Sequence, residues 1–174
     1  MAIVRIRHPY IMLTIILVLS ACIFLPTIQF EFTNWDDDIH VTNNPHVQDF
    51  SLRSAVYHFT STTNYMYHPI TMISYMVDWN LSGGKPWLFH LTNVLIHLVN
   101  IVLLFFLLQT LRSEEKITTF ILIVFALHPL QVESVAWISG RKELLYAFFF
   151  LVSLLLYSRY WETKQRILII YSLI

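Results

Sequence analysis

The chain has 174 residues, 13% of them charged, and a mean hydropathy of +0.60, whereas about 25% of residues are charged in a soluble globular domain. Its formal net charge of zero argues against a nucleic-acid partner, because phosphate binding requires a basic face. A single cysteine excludes an internal disulfide and a thiolate metal site. The composition indicates an integral membrane protein of α-helices, since its apolar runs lack the two-residue alternation of membrane strands.

The predicted elements begin with four apolar segments of about 20 residues, the length that crosses a hydrocarbon core of about 30 Å as helix. They cover residues 10–30, 89–111, 117–136 and 143–160, and the start of another lies at residue 167. The expected fold is all-α: a polytopic helical membrane bundle whose loop 31–88 carries amphipathic helices in the headgroup zone. The last segment is cut short, which predicts the N-terminal part of a longer protein.

The first segment has two interpretations. Arg5 and Arg7 precede an apolar run that reaches LSAC at Cys22, as in a signal peptide with a lipid-anchored cysteine. The apolar run continues to Phe30, however, where a signal peptide would already have turned polar. An uncleaved span is therefore favoured.

The distribution of charge predicts a cytoplasmic N-terminus. With this orientation seven Lys and Arg residues lie inside and four lie outside, as the positive-inside tendency requires. Residues 31–88 and 128–142 are then expected on the non-cytoplasmic side. The predicted location is the inner (plasma) membrane of a bacterium, or the endoplasmic reticulum membrane if the protein is eukaryotic.

Three consecutive carboxylates, Asp36, Asp37 and Asp38, follow the first span. A helix cap or an Asx-turn explains one carboxylate but not three. Like charges and partial desolvation make a carboxylate more basic, which suits a general base that takes a proton from a hydroxyl. A cation site formed with His40 or His46 is an alternative, because hard cations bind carboxylate oxygens.

Polar residues form one stripe on the second span. They recur at offsets of zero, three, seven and ten, which places them on an arc of about 80° of a helix. They are His90, Asn93, His97 and Asn100. Hydrogen bonds between helices are the simpler interpretation. A substrate or lipid-phosphate site near His90 is the functional one.

A second polar stretch, FALHPLQVESVAWISGRKELL, separates two predicted spans. Pro129 can open a short helix and Gly140 can close it. This helix would hold Glu133 near the membrane interface and leave Arg141 and Lys142 where they can meet an anionic group. A solvated loop is the alternative.

WDDDIHVTNNPHV, FHLTNVLIHLVN and FALHPLQVESVAWISGRKELL, in this order and spacing, resemble the membrane domain of the tetratricopeptide-repeat O-mannosyltransferases and their bacterial relatives. These are C-type glycosyltransferases, and the resemblance covers residues 26–160. It implies a partial C-type glycosyltransferase fold. It also implies the transfer of a mannose-like sugar, with inversion, from a polyprenyl-phosphate donor to a hydroxyl of an acceptor protein or glycan on the outer face. Membrane lipid and this lipid-linked sugar phosphate are the expected partners; no cofactor is assigned, and a divalent cation is an alternative.

The resemblance and the residue patterns together predict three catalytic residues, Asp36, Asp37 and Glu133. An acid takes the proton of the acceptor hydroxyl, and a basic pair receives the departing phosphate. The predicted substrate-binding residues are Arg141, Lys142, His128, His90 and Asn44. Asp38 is an additional acid relative to the family's pair, and Glu143 stands where relatives commonly have Asp. The first departure leaves open which acid is the base, and the second leaves the role of Glu143 open.

Two other classes of function fit the composition. One is a non-catalytic membrane scaffold or subunit that binds a partner through loop 31–88. The other is a transporter or ion-binding protein, for which His97 and Asn100 are the polar candidates at mid-membrane depth.

Overall fold

The computed structural model describes residues 7–172, and this part of the chain is all-α, as predicted, with no β-strand. Its α-helices are α1 (Arg7–Phe24), α2 (Pro45–Gln48), α3 (Leu52–Thr60), α4 (Pro69–Ser82), α5 (Pro86–Thr110), α6 (Glu115–Leu127), α7 (Gln131–Ala136), α8 (Arg141–Thr163) and α9 (Arg166–Tyr171). Arg5, used for the orientation, and the last two residues of the predicted final segment lie outside the described residues.

Three helical segments of the described chain are long and apolar enough to cross a membrane: His8–Gln29, Pro86–Thr110 and Ile138–Thr163. They correspond to the first, second and fourth predicted spans. The protein is therefore an integral membrane protein.

The third predicted span, 117–136, is not one continuous helix. Helix α6 ends at Leu127, and His128 is extended (φ −66°, ψ 138°). The cause is Pro129, because the residue before a proline is sterically excluded from helical geometry. With 13 residues, α6 is about 20 Å long at 1.5 Å per residue, shorter than a hydrocarbon core of about 30 Å.

The chain folds into two compact units, which are described separately. The first unit contains residues 7–23, 96–131 and 144–172, and the second contains residues 24–95 and 132–143. The core of the first unit is built from α1, α5 and α6. Its buried residues are Leu13, Ile16, Ile101, Phe105, Leu108, Leu122 and Ala126.

Two members of the polar stripe on α5 belong to the first unit. The His97 ring is 3.2 Å from the carbonyl oxygen of Ala126, and Asn100 donates to the carbonyl oxygen of Leu144 at 2.9 Å. Ala126 lies in the last turn of α6, where carbonyl groups lack partners within the helix. For these two residues the structure confirms the interpretation as hydrogen bonds between helices.

The second unit packs α4 and the first turns of α5 against the short elements that precede them. Its buried core consists of Val41, Val47, Met72, Tyr75, Phe89 and Ile138. Asn44 caps α2 and Ser51 caps α3 through side-chain hydrogen bonds to backbone N–H groups. Helix α4 ends at Gly83, which has the left-handed conformation (φ 65°) that glycine adopts without steric cost.

Candidate functional site

The two polar stretches predicted from the sequence meet in the second unit through Asp37, whose side chain is 1% exposed. Its Oδ1 accepts hydrogen bonds from the backbone N–H of Ser139 at 3.0 Å and from its hydroxyl at 2.5 Å. Its Oδ2 accepts two more, from the backbone N–H and the hydroxyl of Thr33, both at 3.0 Å. Asp37 therefore holds its own turn against the turn that precedes α8.

Asp36 differs from its neighbour in conformation and in contacts. It has a positive φ of 74°, the left-handed region that Asp tolerates better than most residues. Its half-buried carboxylate has one protein hydrogen bond within residues 7–172, from Asn64 Nδ2 at 3.4 Å. Asp36 therefore has room to accept a hydrogen bond from a ligand, whereas the two oxygens of Asp37 already accept four protein hydrogen bonds.

The third acid, Asp38, is half-buried and opens a single π-helical turn, Asp38–Thr42. Among residues 7–172, no three His, Cys, Asp or Glu side chains are grouped closely enough to hold a metal ion. The geometry therefore lends no support to a cation site formed by Asp36, Asp37 and Asp38.

Arg141 lies in the interior of the second unit, with 0% of its side chain exposed. It pairs with Asp78 at 2.6 Å and donates to Asn93 Oδ1 at 2.7 Å and to Ser74 Oγ at 3.0 Å. Its guanidinium also donates to the Phe89 carbonyl oxygen at 2.8 Å. We refer to Arg141, Asp78, Asn93 and Ser74 as the arginine network.

This placement differs from the prediction that Arg141 is free to meet an anionic group. Its charge is already matched by Asp78, whose pKa is raised by burial against the opposing effect of the guanidinium. A buried ion pair of this kind is costly to break, because the remaining charge stays uncompensated. In this geometry Arg141 ties α4, α5 and the start of α8 together.

Lys142, the next residue, has a different environment. Its half-buried ammonium contacts the Met66 thioether at 3.7 Å. It is close enough to His40 and His68 for its charge to lower the pKa of both imidazoles. We refer to His40, His68 and Lys142 as the histidine–lysine cluster.

The two rings of this cluster pack edge to face, with centroids 5.1 Å apart. The Nδ1 atom of His40 is 3.4 Å from the Ser139 hydroxyl, which in turn donates to Asp37. Burial lowers the pKa of His40, although the charge of Asp36 acts in the opposite direction. Burial is also the largest cause that lowers the pKa of His68, to about 4. Both imidazoles are therefore neutral near neutral pH.

Glu133 is exposed on α7 and lines a groove of about 710 Å³ in the second unit. The other lining residues are Thr33, Trp35, Val132, Ala136 and Trp137. The two indole rings are 6.4 Å apart, and Trp35 is 80% exposed. Because Thr33 binds Asp37, this tryptophan groove lies beside the acidic turn.

Gly140 allows the backbone before α8 to approach α7 closely. A Cβ atom at this position would lie 2.6 Å from the Glu133 carbonyl oxygen. Any other residue would force the two segments apart. Glycine is required here because the two backbones are in contact, and its φ is not in the left-handed region.

Three predicted substrate-binding residues have local structural contacts. The Asn44 side chain accepts the backbone N–H of His46 at 3.0 Å as the cap of α2. His90, predicted to lie at a substrate or lipid-phosphate site, is buried with its ring edge-on to Phe30. His128 belongs to the first unit, where its Nδ1 accepts the backbone N–H of Leu130 at 3.2 Å.

Sequence reasoning missed several residues that form these contacts, among them Asp78, His68 and Ser139. Asp78 carried a detectable signal, since it is a lone carboxylate in the apolar helix MISYMVDWNL. The only sequence signal at His68 is its position directly before Pro69. Nothing in the local sequence distinguishes Ser139, whose role depends on contacts 102 residues away.

The helices and the site define an integral membrane protein with a groove beside an acidic turn. Comparison with known proteins is more specific. The chain is 32% identical over 134 residues to mouse protein O-mannosyl-transferase TMTC1, and the match covers 71% of this chain and 14% of the relative. The human TMTC3 and TMTC4 transferases are 34% and 30% identical over 53% and 76% of this chain.

These matches confirm the resemblance to the O-mannosyltransferase family. The chain is related to glycosyltransferases and corresponds to a minor part of each relative, from 10% of human TMTC3 to 21% of human TMTC4. No protein-family model matches the chain. No solved structure matches it.

Proposed function

We propose that this chain is part of a membrane O-mannosyltransferase that uses a polyprenyl-phosphate donor. It transfers mannose, with inversion, to a hydroxyl of an acceptor protein or glycan on the non-cytoplasmic face. The observation that carries the proposal is the contrast between Asp36 and Asp37: one carboxylate is free to react and the other is bound in place. The names of the relatives supply the class of reaction.

Asp36 is the general base of this mechanism. It takes the proton of the acceptor hydroxyl while the hydroxyl oxygen attacks the anomeric carbon of mannose from the face opposite the phosphate. The bond between the anomeric carbon and the phosphate oxygen breaks, and the oxygen leaves with the electron pair. The products are the mannoside, the polyprenyl phosphate and a protonated Asp36. General-base catalysis contributes about 10² to 10⁴ in rate.

Asp37 is a positioning residue. Its four hydrogen bonds fix the turn that presents Asp36, and Ser139 connects this turn to the start of α8. A base held on a rigid turn keeps the reactive geometry that efficient proton transfer needs.

Lys142 receives the departing phosphate in place of the Arg141–Lys142 pair expected from the sequence. Arg141 is buried and matched by Asp78, whereas the Lys142 ammonium has a thioether as its contact. A cation in a half-buried setting stabilises negative charge that develops on a leaving group. Arg141 holds α8 in place and so positions Lys142.

The tryptophan groove is the place for the donor's prenyl chain next to the sugar. Its walls are largely apolar, as in most small-molecule sites, and Glu133 supplies a polar group at its edge. Glu133 can accept hydrogen bonds from sugar hydroxyls there. Its change to Gln is expected to raise the KM for the donor more than it lowers kcat.

The proposal is tested with the complete product of the gene, purified in detergent and supplied with polyprenyl phosphomannose and a hydroxyl-bearing peptide. Mannosyl transfer by the unaltered protein, reduced about 100-fold or more by Asp36→Asn, is expected. Arg53→Met, which changes an exposed residue of the same unit, serves as the control. Transfer that survives Asp36→Asn above about a tenth of its rate would place the base elsewhere.

The alternative of a non-catalytic scaffold is supported by exposed aromatic side chains in the same unit, of which Tyr65 is 100% exposed. It predicts that Asp36→Asn and Glu133→Gln leave cellular function intact. Complementation of a gene deletion with these two variants separates the scaffold from the transferase.

A further inference from the structure

The histidine–lysine cluster contains polar atoms that the proposed mechanism does not use. The Nε2 atom of His40, whose side chain is 1% exposed, is buried without a hydrogen-bond partner within residues 7–172. The Nδ1 atom of His68 is also buried and has no hydrogen-bond partner among the described residues. A buried polar atom without a partner is destabilising and rare in native proteins, so two such atoms on rings in contact point to a missing ligand.

Lys142 adds an unmatched charge to these two rings. The one ion pair among the described residues joins Arg141 to Asp78, and it leaves Lys142 without a carboxylate within salt-bridge distance. An ammonium has three donors and no acceptor. A ligand that pairs with all three members of the cluster must therefore carry acceptor oxygens and negative charge.

We propose that His40 and His68 complete the donor-phosphate site of Lys142, and that the imidazole of His68 takes up a proton when the phosphodiester binds. This inference rests on the proposed function for the identity of the donor. The proton comes from solvent and is held on a ring nitrogen that donates to a phosphate oxygen. No covalent bond changes in this step.

The charges around the cluster explain why a proton is needed. Asp36, Asp37 and Asp38 face His40 from its own turn, and their negative charges oppose the approach of a phosphodiester. Lys142 faces both rings from α8 and supplies one positive charge in return. An imidazolium supplies the second.

In the free site His68 is unprotonated and can therefore take up a proton when the ligand binds. His58, on α3, and His40 both act on His68 and disfavour its protonation, in addition to burial. A bound anion reverses the balance, because an opposite charge nearby favours the protonated form and raises the pKa of the imidazole. Since the complex then holds more protons than the free protein, the affinity rises as the pH falls.

The test uses the complete gene product in detergent and a short-chain polyprenyl phosphomannose, whose phosphodiester keeps one charge between about pH 6 and about pH 8, where imidazoles titrate. Calorimetry in buffers of different ionisation enthalpy is expected to show uptake of a proton on binding, and an affinity several-fold higher at the lower pH. His68→Gln should remove most of this pH dependence. Lys142→Met should weaken binding at least tenfold at both pH values.

Lys85→Met is the matched control, since it removes an exposed lysine from the same unit; its affinity should stay within twofold of the unaltered protein. Binding without proton uptake, or Lys142→Met binding as tightly as the control, overturns the inference. Phosphatidylglycerol is a second probe. Equal binding of this lipid through Lys142 would make the cluster a general headgroup site and would also overturn the donor assignment.

The test of the phosphate site and the test of the proposed function can fail independently, because binding and mannosyl transfer are both measured on the same preparations. Phosphomannose binding that depends on Lys142 and His68 in a protein without transfer would support the phosphate site and reject the transferase. Transfer together with unchanged binding by Lys142→Met would reject the phosphate site alone.

Discussion

The arginine network and the histidine–lysine cluster adjoin in sequence at Arg141 and Lys142 but differ in how completely their polar groups are paired. Arg141 has four polar partners within 3.0 Å. Lys142 contacts a thioether, and ring nitrogens of both histidines beside it lack partners within the described residues. Two adjacent cations on one helix thus have opposite environments.

This difference separates residues that hold the site from residues that are free to react. A fully paired buried network stabilises one conformation and leaves no donor for a ligand. An incompletely paired cluster costs stability, which a native protein tolerates where a ligand or a reaction uses the groups. The same contrast separates Asp37, with four hydrogen bonds, from Asp36, with one long bond.

The largest expected effect on stability is that of Arg141→Met. It leaves Asp78 buried without its counter-charge, which costs about 3–5 kcal/mol. We expect a large fall in the thermal unfolding temperature, which is measured in detergent by tryptophan fluorescence. The double variant Arg141→Met with Asp78→Leu should recover most of the loss, since no unpaired charge remains. A single variant as stable as Arg53→Met would show that the network does not hold the unit together.

Asp37→Asn should have the next largest effect. The amide that replaces one carboxylate oxygen cannot accept the hydrogen bonds of Ser139 or Thr33, and a loss of about 2–3 kcal/mol is expected. Asp36→Asn should leave the unfolding temperature unchanged, because Asn also tolerates the left-handed conformation. Equal destabilisation by the two variants would remove the distinction between the two acids.

A smaller effect is expected from acid. The pKa of His68 falls from 6.5 in the unfolded chain to about 4 in the folded protein, so between these values the unfolded state binds more protons. The contribution of neutral His68 to stability is therefore fully present above about pH 6.5 and is lost towards pH 4; with solvent screening of this partly exposed ring, the loss is about 1–2 kcal/mol. Unfolding temperatures measured across this range should fall less steeply for His68→Gln. An identical slope would mean that His68 is not protected from protons in the folded state.

The last prediction concerns sidedness and involves no change in stability. In a Cys22→Ala background, a cysteine at position 53 should react with an impermeant thiol reagent in intact cells, whereas one at position 114 should not. Both positions are exposed in the structure, so burial does not confound the comparison. The opposite labelling would place the acidic turn in the cytoplasm, where the proposed acceptor is not found.

The sequence predicted the long helices well, because hydrophobic length alone determines what can cross a membrane. It failed at residues 117–136, where apolar composition hid the break that Pro129 imposes on α6. It also identified the two polar stretches that meet through Asp37 and Ser139. The sequence could not show which of two neighbouring residues of the same charge is buried and paired, because this depends on partners far away in the chain. Arg141 is paired with Asp78, whereas Lys142 contacts Met66.

The most direct test compares turnover per folded molecule for Asp36→Asn and Asp37→Asn, with polyprenyl phosphomannose as donor and at a temperature where both are folded. If Asp36 is the base and Asp37 holds its turn, Asp36→Asn loses about 10² to 10⁴ in kcat, while Asp37→Asn keeps more than about a tenth of kcat per folded molecule. The reverse order, with Asp37→Asn inactive although folded and Asp36→Asn active, would contradict the assignment of the free and the bound carboxylate.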